Sequence, residues 1–201
     1  MAETMTPEES LRIIQKSISH SRKNLREGSF YYLLWGWALI LGSLTNYGVL
    51  KYYLAKEDYE GLWWKSLVVW FVFILITILI RLVQVSRSSR RLIVKTHLDR
   101  YITTLWISSG VIIALMVFLS IKVETPPVAF ILGVTSLATF VSGMMVRFTP
   151  LVIGGIIFLV SAVVTIYLPG PEQLLVCAGA MVLGFIIPGF MLRTIKNGEH
   201  V

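Results

Sequence analysis

Charge is the scarcest commodity in this chain. Only 14% of its 201 residues are charged, against about 25% in ordinary soluble domains. No Asp, Glu, Lys, Arg or His falls in the middle of any long apolar run, which argues against the buried charges that mark proton and ion paths. Cysteine is nearly absent as well. A lone Cys177 allows no intramolecular disulfide, and no Cys/His spacing suggests a metal site. The chain also lacks a phosphate-binding glycine loop, an HExxH, a GxSxG and paired carboxylates on one helix face. The sequence therefore predicts no cofactor and leans away from an enzyme. The first long apolar run begins near Phe30, too late for a typical cleavable signal peptide.

What is present is apolar length. Hydrophobic residues make up 56% of the chain and mean hydropathy is +0.76. Crossing about 30 Å of hydrocarbon takes about 20 helical residues. Six stretches reach that length: Phe30–Tyr53, Leu62–Gln84, Tyr101–Ile121, Pro126–Val146, Pro150–Leu168 and Gln173–Leu192. Pro150 suits the first turn of the fifth, and Pro169-Gly170-Pro171 closes it. Barrel strands would be about 10 residues long with alternating polarity, so the expectation is an all-α membrane protein with a six-transmembrane-helix bundle over 30–192. Residues 1–29 precede it as a cytoplasmic amphipathic helix, and 193–201 follow as a cytoplasmic tail.

Basic residues set the expected orientation. Of the 18 Lys and Arg, only Lys51, Lys56, Lys65 and Lys122 fall between spans on one side; the other fourteen fall on the side of the N-terminus. The positive-inside rule then places both termini in the cytoplasm, in a bacterial inner membrane. The net charge of +7 is used for this orientation, not for nucleic acid. Tyr31, Tyr32, Trp35, Tyr101 and Trp106 near the inner boundary, and Tyr52, Tyr53, Tyr59, Trp63, Trp64 and Tyr167 near the outer one, suit interfacial belts.

Spans four and six match at an offset of 46 residues: Ser142-Gly143-Met144-Met145-Val146-Arg147 aligns with Pro188-Gly189-Phe190-Met191-Leu192-Arg193, Gly133 with Gly179 and Leu137 with Leu183. The pattern predicts a parallel repeat of hairpins, spans three–four and five–six, unlike the inverted repeats of many transporters. Small residues at four-residue spacing (Ala129/Gly133, Ala180/Gly184), with Gly154-Gly155, Gly36 and Gly42, predict close helix packing. Pro188 predicts a kink or a freed carbonyl inside span six.

Residues 6–28 read as a helix of their own. Thr6-Pro7-Glu8-Glu9 forms a capping box, Arg22, Lys23 and Arg26 fall in the last turn, and Gly28 is a natural stop. Leu11, Ile14, Ile18 and Leu25 share one stripe. This helix can lie on anionic lipid, pack on the bundle end, or pair with a partner or another copy; the first two are favoured. The loop Ser86–Arg100 is the longest inner connection. It is a positive-inside anchor first and a docking patch for anionic lipid or an acidic protein second. Arg22, Lys23, Arg26, Arg87, Arg90, Arg91 and Lys95 are the candidate contacts with anionic headgroups or a protein partner.

Within the spans Asn46 is the most polar residue. It and the hydroxyls of Thr135 and Ser136 are the candidate ligand contacts, although hydroxyls also bond to their own helix. The Phe30-Tyr31-Tyr32-Leu33-Leu34-Trp35-Gly36-Trp37 segment after a basic helix, the Pro150-Leu151-Val152-Ile153-Gly154-Gly155 run and Gly184-Phe185-Ile186-Ile187-Pro188-Gly189 together resemble a family of small uncharacterised six-span integral membrane proteins common in Bacteroidetes-type bacteria. The resemblance covers nearly the whole chain and implies no activity. The functional expectation is a non-enzymatic scaffold, sensor or accessory subunit working through the bilayer, a membrane or cytoplasmic protein partner, or a homo-oligomer. The alternatives are a transporter or channel for a small neutral or lipophilic solute, and an interfacial lipid-modifying enzyme using His97 and Asp99.

Overall fold

A computed structural model describes residues 7–88, 97–123 and 125–194, with backbone alone for 7–28, 85, 87–88 and 97–99. The described residues form helices α1 (Pro7–Ala55), α2 (Leu62–Ser88), α3 (His97–Val123), α4 (Val128–Val146), α5 (Thr149–Ile166), α6 (Glu172–Met181) and α7 (Ile187–Thr194). A π-helical turn, Val182–Ile186, joins the last two. Among the described residues six segments are long and apolar enough to cross a membrane: Ser29–Ala55, Leu62–Gln84, Arg100–Val123, Val128–Val146, Thr149–Ile166 and Glu172–Thr194. The protein is an all-α, multi-pass membrane protein with the six-helix bundle that its hydropathy predicts.

The six spans are not equivalent. α1 packs against α2, α6, the π turn and α7, while α4 and α5 form the most intimate pair. The buried core comes from these central helices, with Leu132, Leu151, Phe158, Met181 and Phe185 at its heart. α2 lies on α1 and α3 on α4 as flanking helices. Only 6% of the apolar window of each flank is buried, against 56% for span six. Their remaining surface is apolar, as lipid requires. Trp106 of α3 reaches the core, with its ring 6.4 Å from Tyr32 and 5.9 Å from Phe185.

Two expectations change. The glycine at position 28 predicts a stop, yet α1 runs through it as one helix of 49 residues. A mid-helix glycine costs about 1 kcal/mol relative to alanine. No proline follows to break the ladder, and Ser29, the next residue, is already buried in the bundle. Gly133 is expected to admit a neighbouring helix, but a Cβ there would meet nothing within 4 Å. Its repeat counterpart Gly179 is equally open, whereas Gly143 and Gly189 are both pressed against a neighbour, Val152 and Leu33 respectively.

The proline in span six acts as its chemistry dictates. Pro188 has no N–H for the carbonyl of Gly184, four residues back. The ladder shifts register just before it, so that Ile187 donates to Val182 O, five residues back.

Candidate functional site

Most polar groups inside the bundle are consumed locally. Thr77, Thr139 and Thr165 donate to carbonyls of their own helices, Phe73, Thr135 and Ala162, at 2.7 Å each. Of the candidate ligand contacts, Ser136 is buried and donates to Gly155 O at 2.7 Å, tying α4 to α5. Thr135 is buried beside it. They sit on α4, apart from Asn46 on α1, and the fold does not gather the three into one site.

Asn46 belongs to a different group. Ser43 and Asn46 are three residues apart on α1, hence on one face, and both are fully buried. Asn46 Nδ2 donates to Ser66 Oγ of α2 at 2.8 Å. Across the α1–α6 contact, the buried Cys177 thiol lies against Ser43 without completing a hydrogen bond to its Oγ. One turn along α6, the buried Gln173 donates from Nε2 to Leu168 O at 2.9 Å, covering the end of α5. Ser43 Oγ, Asn46 Oδ1 and Gln173 Oε1 are left with no hydrogen-bond partner. An unmade buried hydrogen bond costs on the order of 1–3 kcal/mol, so each orphan calls for an explanation.

The end of this seam nearest Ala55 is polar. Lys51 Nζ meets Glu172 Oε1 at 2.6 Å, linking α1 to the first turn of α6. In the α1–α2 connection Lys65 meets Asp58 at 2.8 Å. The hydrogen bond from Lys65 holds the Asp58 carboxyl below the usual carboxylate range. The three lysines sit over tyrosine rings: Lys65 over Tyr53 at 3.7 Å, Lys56 over Tyr52 at 4.4 Å and Lys51 over Tyr47 at 5.7 Å. Such contacts let a cation rest at a lipid boundary while staying solvated.

At the opposite end, Arg81 covers the Tyr31 ring at 4.4 Å and donates to Gln84, clamping α2 to α1. Tyr32 packs its ring against Trp106 and Phe185, and Ser142 Oγ, buried on α4, is left without a hydrogen-bond partner. The side chains of the candidate headgroup contacts Arg22, Lys23, Arg26 and Arg87, and of His97 and Asp99, lie outside the described residues, as do Arg90, Arg91 and Lys95 entirely. Among the described residues no group of three or more His, Cys, Asp or Glu could hold a metal. Between α1 and α2 runs a shallow apolar cleft lined by residues such as Trp35, Leu39, Trp70 and Phe73.

Gln173, Ser43, Ser66 and Cys177 escape a reading for chemical motifs because each is a small or neutral residue in an apolar run. The usable signal was spacing: Ser43/Asn46 and Gln173/Cys177 fall one turn apart on two helices that the chain brings together. No family model, curated protein or solved structure matches the chain, so the function has to be argued from this geometry.

Proposed function

We propose that the protein is a non-enzymatic inner-membrane module, an accessory or sensor subunit that acts through contacts made on the cytoplasmic side. Both termini are cytoplasmic in this reading, supported by the fourteen Lys and Arg on that side. The observation that carries it is the unbroken course of α1 from Pro7 to Ala55. The segment bearing Leu11, Ile14, Ile18 and the basic residues Arg22, Lys23 and Arg26 continues the span that contacts α2, α6, the π turn and α7. A helix of about 1.5 Å per residue carried past the membrane face is a stiff arm, so docking of a partner on it bears directly on the bundle core. Anionic headgroups would hold the base of the arm through Arg22, Lys23, Arg26, Arg87, Arg90, Arg91 and Lys95.

Photo-crosslinkers placed at Ile14 and Ile18 in living cells test this. The expected result is a discrete protein adduct, weakened when Gly28→Pro breaks the arm from its span. Adducts to lipid alone, with deletion of residues 1–28 leaving every co-purifying protein in place, would overturn the reading.

A further inference from the structure

Arg81 is costly where it stands. It lies within span two, three residues before the end of that span at Gln84, and a guanidinium at such depth needs an anion or water. An arginine near a helix end can snorkel outward, but Arg81 is half-buried and lies across α1, over the Tyr31 ring at 4.4 Å. The two ion pairs formed among the described residues belong to Lys51 and Lys65. Of the five N–H donors of a guanidinium, one serves Gln84 at 3.2 Å. The rest of the fork is free to meet an acceptor from outside this helix pair.

The apolar cleft between α1 and α2 begins one turn deeper. Thr77 lies four residues before Arg81 on α2, Trp35 lies four residues after Tyr31 on α1, and both line it. From there it passes Leu39, Phe73 and Ile74 to Trp70. The Trp70 ring closes on α1 at Gly42, where a Cβ would sit 3.1 Å from it. Trp70, Phe73, Thr77 and Arg81 follow one another at helical spacing on one face. The Thr77 hydroxyl is bonded to Phe73 O, so the walls offer an occupant only apolar surface. The rise from Trp70 to Arg81 is about 16 Å, close to half of the roughly 30 Å of hydrocarbon. The cleft therefore has the depth of one leaflet, with the arginine at its membrane boundary.

A cation without a carboxylate above an apolar track of leaflet length fits one kind of occupant. A second helix could cover the track but would have to bring an acid to the level of Arg81. A zwitterionic lipid brings its own ammonium beside the phosphate. A lipid of net negative charge supplies both parts, and the planar fork of arginine matches two phosphate oxygens. We propose that the α1–α2 cleft holds one anionic glycerophospholipid of the leaflet on the N-terminal side, its phosphodiester on Arg81 and an acyl chain along Trp35, Leu39, Phe73 and Trp70. The cleft is shallow, so the chain lies along it and the headgroup supplies the selectivity. This site is separate from the headgroup contacts at the base of the arm, and it holds whichever face of the membrane is cytoplasmic.

Native mass spectrometry of the full-length protein, delipidated in mild detergent, tests the proposal by counting bound dioleoylphosphatidylglycerol and dioleoylphosphatidylethanolamine. Wild type should bind its first phosphatidylglycerol about tenfold more tightly than phosphatidylethanolamine, as one charge-assisted contact allows. Arg81→Gln should abolish that preference and Arg81→Lys should keep part of it. Ala38→Phe, which fills the cleft and leaves the arginine in place, should weaken both lipids. Arg100→Gln and Arg193→Gln, at exposed arginines of the same end, should leave the tight copy unchanged, and glycerol 1-phosphate, a headgroup without chains, should not compete for it. Unchanged gel-filtration and melting profiles show that the variants fold, and the wild-type comparison of the two lipids needs no variant. Equal affinity for the two lipids would overturn the proposal. Equal losses in all three glutamine variants would do so too, by showing general attraction to basic residues. No loss in Arg81→Gln would mean that Arg81 is already neutralised within the protein, for example by Glu27 one turn before Tyr31, and a dimer that Ala38→Phe dissociates would give the cleft to a second copy; either result overturns it.

Discussion

Gly154 on α5 lies directly against the carbonyl of Gly184 in the π turn; a Cβ on Gly154 would sit 2.7 Å from that oxygen. Both ends of this contact follow from Pro188. The carbonyl that the proline cannot engage faces a glycine, where a Cα–H can approach it. One residue on, Gly155 meets Phe140 equally closely, its added Cβ 2.7 Å from the Phe140 Cβ. The core of the bundle is therefore built on backbone proximity, which is how helices gain contact where lipid removes the hydrophobic drive.

That contact predicts a graded mutational series. Gly154→Val and Gly155→Val should each destabilise the bundle by about 1–3 kcal/mol through overpacking, while Gly133→Val, facing open space, should stay within about 0.5 kcal/mol. Reversible unfolding in mixed micelles by SDS titration reads the difference. Equal effects at the three positions would mean that α4, α5 and the π turn are not so closely packed.

The π turn predicts a tolerance for shortening. Such a turn holds one residue more than the α-helix it interrupts, so deleting Val182 should remove the wide turn, leave only the gap at Pro188 in the ladder, and keep α6 and α7 in register with α1. Deleting Leu175, within regular α6, would rotate the residues beyond the cut by about 100° relative to those before it. The expected outcome is near-normal thermal stability for the first deletion and loss of a folded monodisperse species for the second, as seen by gel filtration and circular dichroism.

The connection between α1 and α2 predicts an acid limb. Lys65 lowers the Asp58 carboxyl from its ordinary value. The stabilisation it contributes is therefore complete above the unfolded-state value of about 3.9 and is lost as pH falls through the lower folded-state value. Melting temperature measured as pH falls from 6 should decline less steeply in Asp58→Asn than in wild type, with the two curves converging toward the acid end. Parallel curves would show that the pair contributes nothing to the fold.

The candidate residues show where a linear reading stops. Asn46 stands out as the most polar residue inside a span, and its burial follows from the cost of exposing an amide to lipid. Ser136, chosen by the same reasoning, bonds Gly155 across the α4–α5 contact, and Thr135 is buried beside it. Gln173 reads as the polar start of a span, and only the folded chain turns its side chain back onto Leu168 O and buries it. Gly28 carries the strongest local stop signal before the first span, and the helix passes through it because one glycine cannot outweigh two strongly helical flanks.

The number and approximate length of the spans are decided by the sequence alone, because hydropathy and residue count are local quantities and a bilayer has a fixed thickness. The tertiary structure alone decides which spans are central. α2 is the most apolar of the six and among the least buried, since lipid and protein interior are equally greasy and hydropathy cannot tell one from the other. Which polar atoms are orphaned, where the π turn falls and which lysine meets Glu172 depend on helix docking, and docking is governed by shape and backbone approach between residues far apart in the chain.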